Sequence, residues 1–137
     1  RNKNISVTVI VDAKDVSLTK AIKLLKEQVG KPYVWGANGP DSFDCSGLVR
    51  YIYKNALGKD IPRVSEDQSK VGQAVSREDL QPGDLVFFDT MDKGKVSHVG
   101  MYIGNNEFIH AANSKKVVIK STLTGYYDKK FINARRP

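Results

Sequence analysis

Ser97-His-Val-Gly-Met-Tyr-Ile-Gly-Asn-Asn-Glu-Phe-Ile-His-Ala-Ala112 carries both histidines of the chain and reads as two strands joined through Gly104-Asn105-Asn106. Side chains alternate faces along a strand, so His98, Gly100 and Tyr102 share one side while Val99, Met101 and Ile103 share the other. On the second strand Phe108, His110 and Ala112 share a face. A three-residue loop at 104–106 pairs Ile103 with Glu107 and Gly100 with His110. His98 then lies diagonally from His110 on the same side, with only the hydrogen of Gly100 opposite the second ring. That is the geometry of a base and the group that orients it.

Outward from this hairpin, the chain divides into a helical first half and a β-rich second half. Ser17 is read as the cap of a helix with Leu18, Ala21, Ile22, Leu25 and Val29 on one stripe, stopped by Gly30 and Pro32. Residues 33–44 hold Gly36, Gly39 and Pro40 among polar residues and read as a loop leading into Cys45. Leu48, Val49, Ile52 and Ala56 mark a second helical face, capped by Asp44 or Ser42 and closed by Gly58 and Pro62. A short helix is expected over Ser65 to Val71, then strands at Leu85 to Phe88, Ser97 to Ile103, Phe108 to Ala112 and Lys116 to Lys120. Helices followed by an antiparallel β-meander define an α+β domain over residues 17–137. Residues 1–16, with a β-branched strand pattern from Ile5 to Val11, are expected to be an arm or linker remnant.

Composition narrows the function classes. With 137 residues, 40% hydrophobic and 27% charged, the chain is long enough for one hydrophobic core and has an ordinary globular balance. It holds no run of about 20 apolar residues that would span a membrane, and no signal-peptide pattern. It starts at Arg1, not Met, so it is expected to be a piece of a longer protein with further domains. A net charge of +7 favours polyanionic surroundings, with anionic wall polymers among them. Basic residues do not interleave with stacking aromatics, which argues against nucleic acid.

Cys45 is the single cysteine, so no internal disulfide forms. A cysteine attacks as thiolate, and its free pKa near ~8.5 leaves little anion at neutral pH. At the start of a helix the sulfur meets the positive end of the dipole and unpaired N–H groups, which are expected to lower that pKa and to form half of an oxyanion hole. Flanked by Asp44, Ser46 and Gly47 after a glycine-bearing loop, Cys45 does not sit in an apolar stripe as a core cysteine would. Two His and one Cys at these separations match no metal-ligand spacing, and no cofactor is expected.

Five stretches in order, Gly30-Lys-Pro-Tyr-Val-Trp-Gly36, Asp44-Cys-Ser-Gly47, Leu80-Gln-Pro-Gly-Asp-Leu-Val-Phe-Phe88, Ser97-His-Val-Gly-Met-Tyr-Ile-Gly104 and Phe108-Ile-His-Ala111, give the chain its resemblance to the NlpC/P60 family of cell-wall cysteine peptidases. The resemblance covers about residues 18 to 135 and implies a papain-like core, a helix with the cysteine against a sheet with the histidines. It implies that Cys45 is the nucleophile, His98 the general base and later acid, and His110 the third member that sets the tautomer of His98. The implied substrate is a peptidoglycan stem peptide cut between D-γ-glutamate and diaminopimelate or lysine, with action at a secreted or cell-wall location.

The same resemblance makes Tyr33 an active-site tyrosine beside the oxyanion, and Asp44 and Ser46 lining residues for the substrate's amino end. Asp44 also reads as a simple N-cap. Tyr33 also reads as packing under the loop; Trp35 reads as a substrate contact or as the same packing, and Arg63 as a grip on a substrate carboxylate or as a solvated side chain. Ser97, first in its motif, joins the substrate-contact set. Two rival readings are an amidase of the CHAP type, cutting the bond between sugar and L-alanine, and a wall-binding module without catalysis. The intact Cys45, His98 and His110 weigh against the latter.

Overall fold

The computed structural model describes residues 13–137. The strand expected over Ile5 to Val11 lies outside the described residues. Helix α1 spans Ala13–Glu27, so it begins upstream of Ser17; that serine lies inside the helix, not at its cap, and the boundary expected at 16/17 falls within one element. Ala21 and Leu25 are buried as the stripe requires, while Val29 lies beyond the last turn and is exposed.

Helix α2 spans Cys45–Leu57. Asp44 caps it through an oxygen accepting the Gly47 N–H at 2.7 Å, and Gly58 ends it at φ 63°. The preceding loop is locked by Phe43, which is fully buried and meets the Tyr51 ring edge-on at 5.2 Å. Burial of a side chain that size contributes roughly 1.5–3 kcal/mol. The loop presses so closely on the helix that a Cβ at Gly47 would lie 2.2 Å from the Ala37 carbonyl oxygen. Glycine is what lets loop and helix close around Cys45.

A short helix α3, Ser65–Gln68, precedes strands β1, Gln73–Val75; β2, Leu85–Phe88; β3, His98–Gly104; β4, Glu107–Ala112; and β5, Val117–Thr122, with a single 3₁₀ turn at Arg77–Asp79. Helix α4, Tyr126–Lys130, leads into β6, Phe131–Arg136. The six strands form one antiparallel sheet in the order β1-β6-β2-β3-β4-β5. The expected meander is β2 to β5. Strand β6, unread in the sequence, returns to insert between β1 and β2, and Arg136 closes that junction by pairing with buried Asp84 at 2.8 and 2.9 Å.

The α+β architecture thus places α1 and α2 on one face of the sheet, where Leu25, Leu48, Val49 and Ile52 pack with Leu85, Phe87, Val99, Met101 and Ile109. Val86, Phe88, Phe108, Leu123 and Ala134 form a second cluster, joined by Tyr127 and Phe131. No helix among the described residues is long and apolar enough to cross a membrane.

The β3–β4 turn differs in detail from its expectation. Gly104, not Ile103, pairs with Glu107, leaving a bulge between Tyr102 and Gly104, and Asn105 and Asn106 at φ 54° and 63° make a two-residue turn. Below the bulge Tyr102 pairs with Phe108 and Met101 with Ile109, so the face that each histidine occupies is the expected one.

Candidate active site

Cys45 is the first residue of α2 and retains partial solvent access. The backbone N–H groups of Val99, Ser46 and Cys45 itself act on its thiol, which puts the helix start near β3 one residue past His98. Those donors pull the thiol pKa down. Burial, with the Asp44 carboxylate adding, pushes it the other way, to about 11. The expectation that the helix start and its N–H groups lower the thiol pKa is therefore overturned by desolvation.

His98 and His110 meet across β3 and β4, with His98 Nε2 2.7 Å from His110 Nδ1 and the rings T-shaped at 4.9 Å. The cause is the register: at Gly100 a Cβ would sit 3.1 Å from the His110 Cβ and 2.6 Å from the Phe108 ring. Burial pushes His98 down to about 4 and lowers His110 as well, with the neighbouring His98 charge adding to the latter. Both imidazoles are thus neutral at pH 7, as is the thiol. Since His98 spends Nε2 on His110, Nδ1 is the ring nitrogen left for a proton from outside the pair.

Two partners of this pair went unread in the sequence. Ser121 Oγ lies 2.8 Å from His110 Nε2. Its strand was expected to stop at Lys120, whereas β5 runs to Thr122 with Ile119 opposite His110, so Ser121 stands diagonally as His98 does on the other side. Tyr127 stacks against His98 at 6.5 Å and meets His110 edge-on at 5.1 Å. It comes from α4, for which the sequence reading had no element.

The expected substrate contacts separate into groups. Tyr33 stands close enough to Cys45 and Asp44 for their charges to raise its phenol pKa, after burial. Asp44 is a hub: its carboxylate accepts the Gly47 and Gly36 N–H groups at 2.7 and 3.0 Å, the Ser46 hydroxyl at 3.4 Å, and Arg63 at 2.9 and 3.1 Å. The cap role is evident, and with about four lone-pair sites on a carboxylate the group is filled. Arg63 is partly exposed but not free: it holds Asp44 and also donates to Ser46 Oγ at 2.8 Å.

Trp35 is 86% exposed, which overturns packing under the loop and leaves its ring presented to solvent beside the Gly36–Asp44 bond. Ser97 Oγ accepts the Thr90 N–H at 2.9 Å and shares a hydrogen bond with its hydroxyl at 3.0 Å, so it clasps the 88–97 loop. Among the described residues no group of three or more His, Cys, Asp or Glu is placed to hold a metal ion.

Residues 30–136 match the model of the NlpC/P60 family. The murein DD-endopeptidase MepH of Escherichia coli K12 is 38% identical over 98% of this chain and 52% of its own length. The γ-DL-glutamyl hydrolase of Bacillus subtilis is 41% identical over 81% of this chain and 27% of its own. This chain therefore spans about half of the first and about a quarter of the second. A crystal structure of an NlpC/P60 family protein from Bacillus cereus superposes with TM-score 0.81 at 41% identity, covering 87% of this chain and 39% of that one. The NlpC/p60 domain of the peptidoglycan hydrolase SagA superposes with TM-score 0.77 at 28% identity, covering 88% and 98%.

Proposed function

Because this chain belongs to the NlpC/P60 family, we propose that it is a peptidoglycan hydrolase, a thiol endopeptidase cutting stem peptides at the D-γ-glutamyl–diamino acid bond. The observation that carries the reading is an imidazole pair 2.7 Å apart across β3 and β4, with Cys45 at the start of the helix that packs on the same sheet. The diamino acid is diaminopimelate or lysine. The substrate class implies action outside the cytoplasm, at the bacterial wall, and a net charge of +7 suits a wall rich in anionic polymers.

The mechanism follows from the neutral resting groups. The thiol proton passes to His98 Nδ1 as sulfur bonds to the carbonyl carbon, and the oxygen takes up the electron pair. Backbone N–H groups at the start of α2 and the Tyr33 hydroxyl then stabilise that oxyanion. The C–N bond breaks as His98 returns the proton to the leaving amine, leaving a thioester on Cys45. Water then attacks with His98 again accepting a proton, and the thiol is released carrying that proton. In this scheme Trp35 and Tyr33 face the substrate, and Ser46 contacts its amino end while Asp44 and Arg63 buttress that wall.

A second reading of the bond has support of its own: 38% identity to a protein named as a DD-endopeptidase, over nearly all of this chain, favours a DD bond. Incubation with defined muropeptides and mass analysis of the products separates γ-D-glutamyl cleavage, DD cleavage and the amidase cut between sugar and L-alanine. A new glutamate terminus supports the first reading; sugar released from intact peptide overturns both peptidase readings.

A further inference from the structure

We infer that Ser121 is a positioning residue for His98, acting through His110 as the terminal acceptor of a three-strand relay. This rests on the reading of His98 as the base. The relay runs diagonally across β3, β4 and β5: His98 Nε2 to His110 Nδ1 at 2.7 Å, then His110 Nε2 to Ser121 Oγ at 2.8 Å.

When His98 takes the thiol proton on Nδ1, it carries N–H on both nitrogens, so His110 must present the lone pair of Nδ1. The proton of His110 then sits on Nε2, inside the protein, and needs an acceptor. His110 is fully buried, with the Phe108 and Tyr127 rings against it at 4.6 and 5.1 Å, and the oxygen on its Nε2 side is that of Ser121. A buried N–H left without an acceptor loses the whole of its hydration.

The opposite tautomer chain would place a proton on His98 Nδ1, where it blocks transfer from the thiol. A hydroxyl suits this end because it adds no charge beside two buried imidazoles and can rotate to offer a lone pair. No proton leaves His98 along the relay; the bonds only hold each ring in one tautomer.

The test needs no peptidoglycan. Alkylation of Cys45 by iodoacetamide near neutral pH is compared in the wild type, Ser121→Ala, Ser121→Thr and His98→Ala, alongside ¹⁵N shifts of the histidine rings. Ser121→Ala should slow alkylation by on the order of tenfold, the direction that a wrong tautomer gives in a triad. It should also move His110 Nε2 off its protonated-nitrogen shift, and Ser121→Thr should restore both. Wild-type alkylation and an unchanged His110 tautomer in Ser121→Ala would overturn the inference. An unchanged rate in His98→Ala would overturn the underlying reading of the base. Should Ser121→Ala not fold, the wild-type spectrum decides: a protonated His110 Nε2 supports the relay and an unprotonated one overturns it.

Discussion

The protonation state of Cys45 follows from what surrounds it in space. Burial and Asp44 outweigh the three N–H groups that reach the sulfur. The alkylation rate of Cys45 is therefore expected to rise through the alkaline range, with a midpoint above the ordinary thiol value; a midpoint below neutrality would contradict the neutral pair. Gly47 enters the sequence reading only as the last residue of the Asp44-Cys-Ser-Gly47 stretch, whereas the nearness of the Ala37 carbonyl shows why no Cβ fits. Gly47→Ala is expected to destabilise the fold by about 1–3 kcal/mol, the cost of overpacking, measured by thermal or denaturant unfolding.

At the scale of elements, helix α2 and the β3–β4 hairpin were legible because each is specified locally, one by a cap and a 3.6-residue stripe, the other by alternation and a turn. The bulge at Ile103 was not, since a one-residue irregularity leaves the alternation pattern below it unchanged. Strand β6 and helix α4 escaped because Phe131–Arg136 alternates weakly and carries two arginines, whose place is set by partners far away in sequence. Asp44 joins the loop, α2 and Arg63 in one hub. Asp44→Ala should cost more than the ~1 kcal/mol of an ordinary cap, because it also strips Arg63 of its carboxylate. Adding Arg63→Ala should cost less than the sum of the two single changes, a coupling that a double-mutant cycle in denaturant measures directly.

For the whole molecule, the histidine pair links stability to pH. The folded pKa of His98 lies at about 4, below its unfolded value of about 6.5. Between those values the unfolded chain binds more protons than the folded one, so stability is full above about 6.5 and falls as pH drops toward 4. His110 adds in the same direction. Melting temperature should accordingly fall between pH 7 and pH 5, and a His110→Gln variant should show a shallower fall. The family and its fold were readable from five ordered motifs. What joins them into a site, the Asp44–Arg63 hub and the Ser121 and Tyr127 partners of the histidines, depends on contacts between distant segments.

Whether Cys45 and His98 together cleave wall peptides is read by incubating wild type, Cys45→Ala and His98→Ala with a defined stem peptide and weighing the products. Wild type should cut on the carboxyl side of D-γ-glutamate, Cys45→Ala should not cut, and His98→Ala should be slower by on the order of a hundredfold or more. Cleavage retained by Cys45→Ala would contradict that joint role.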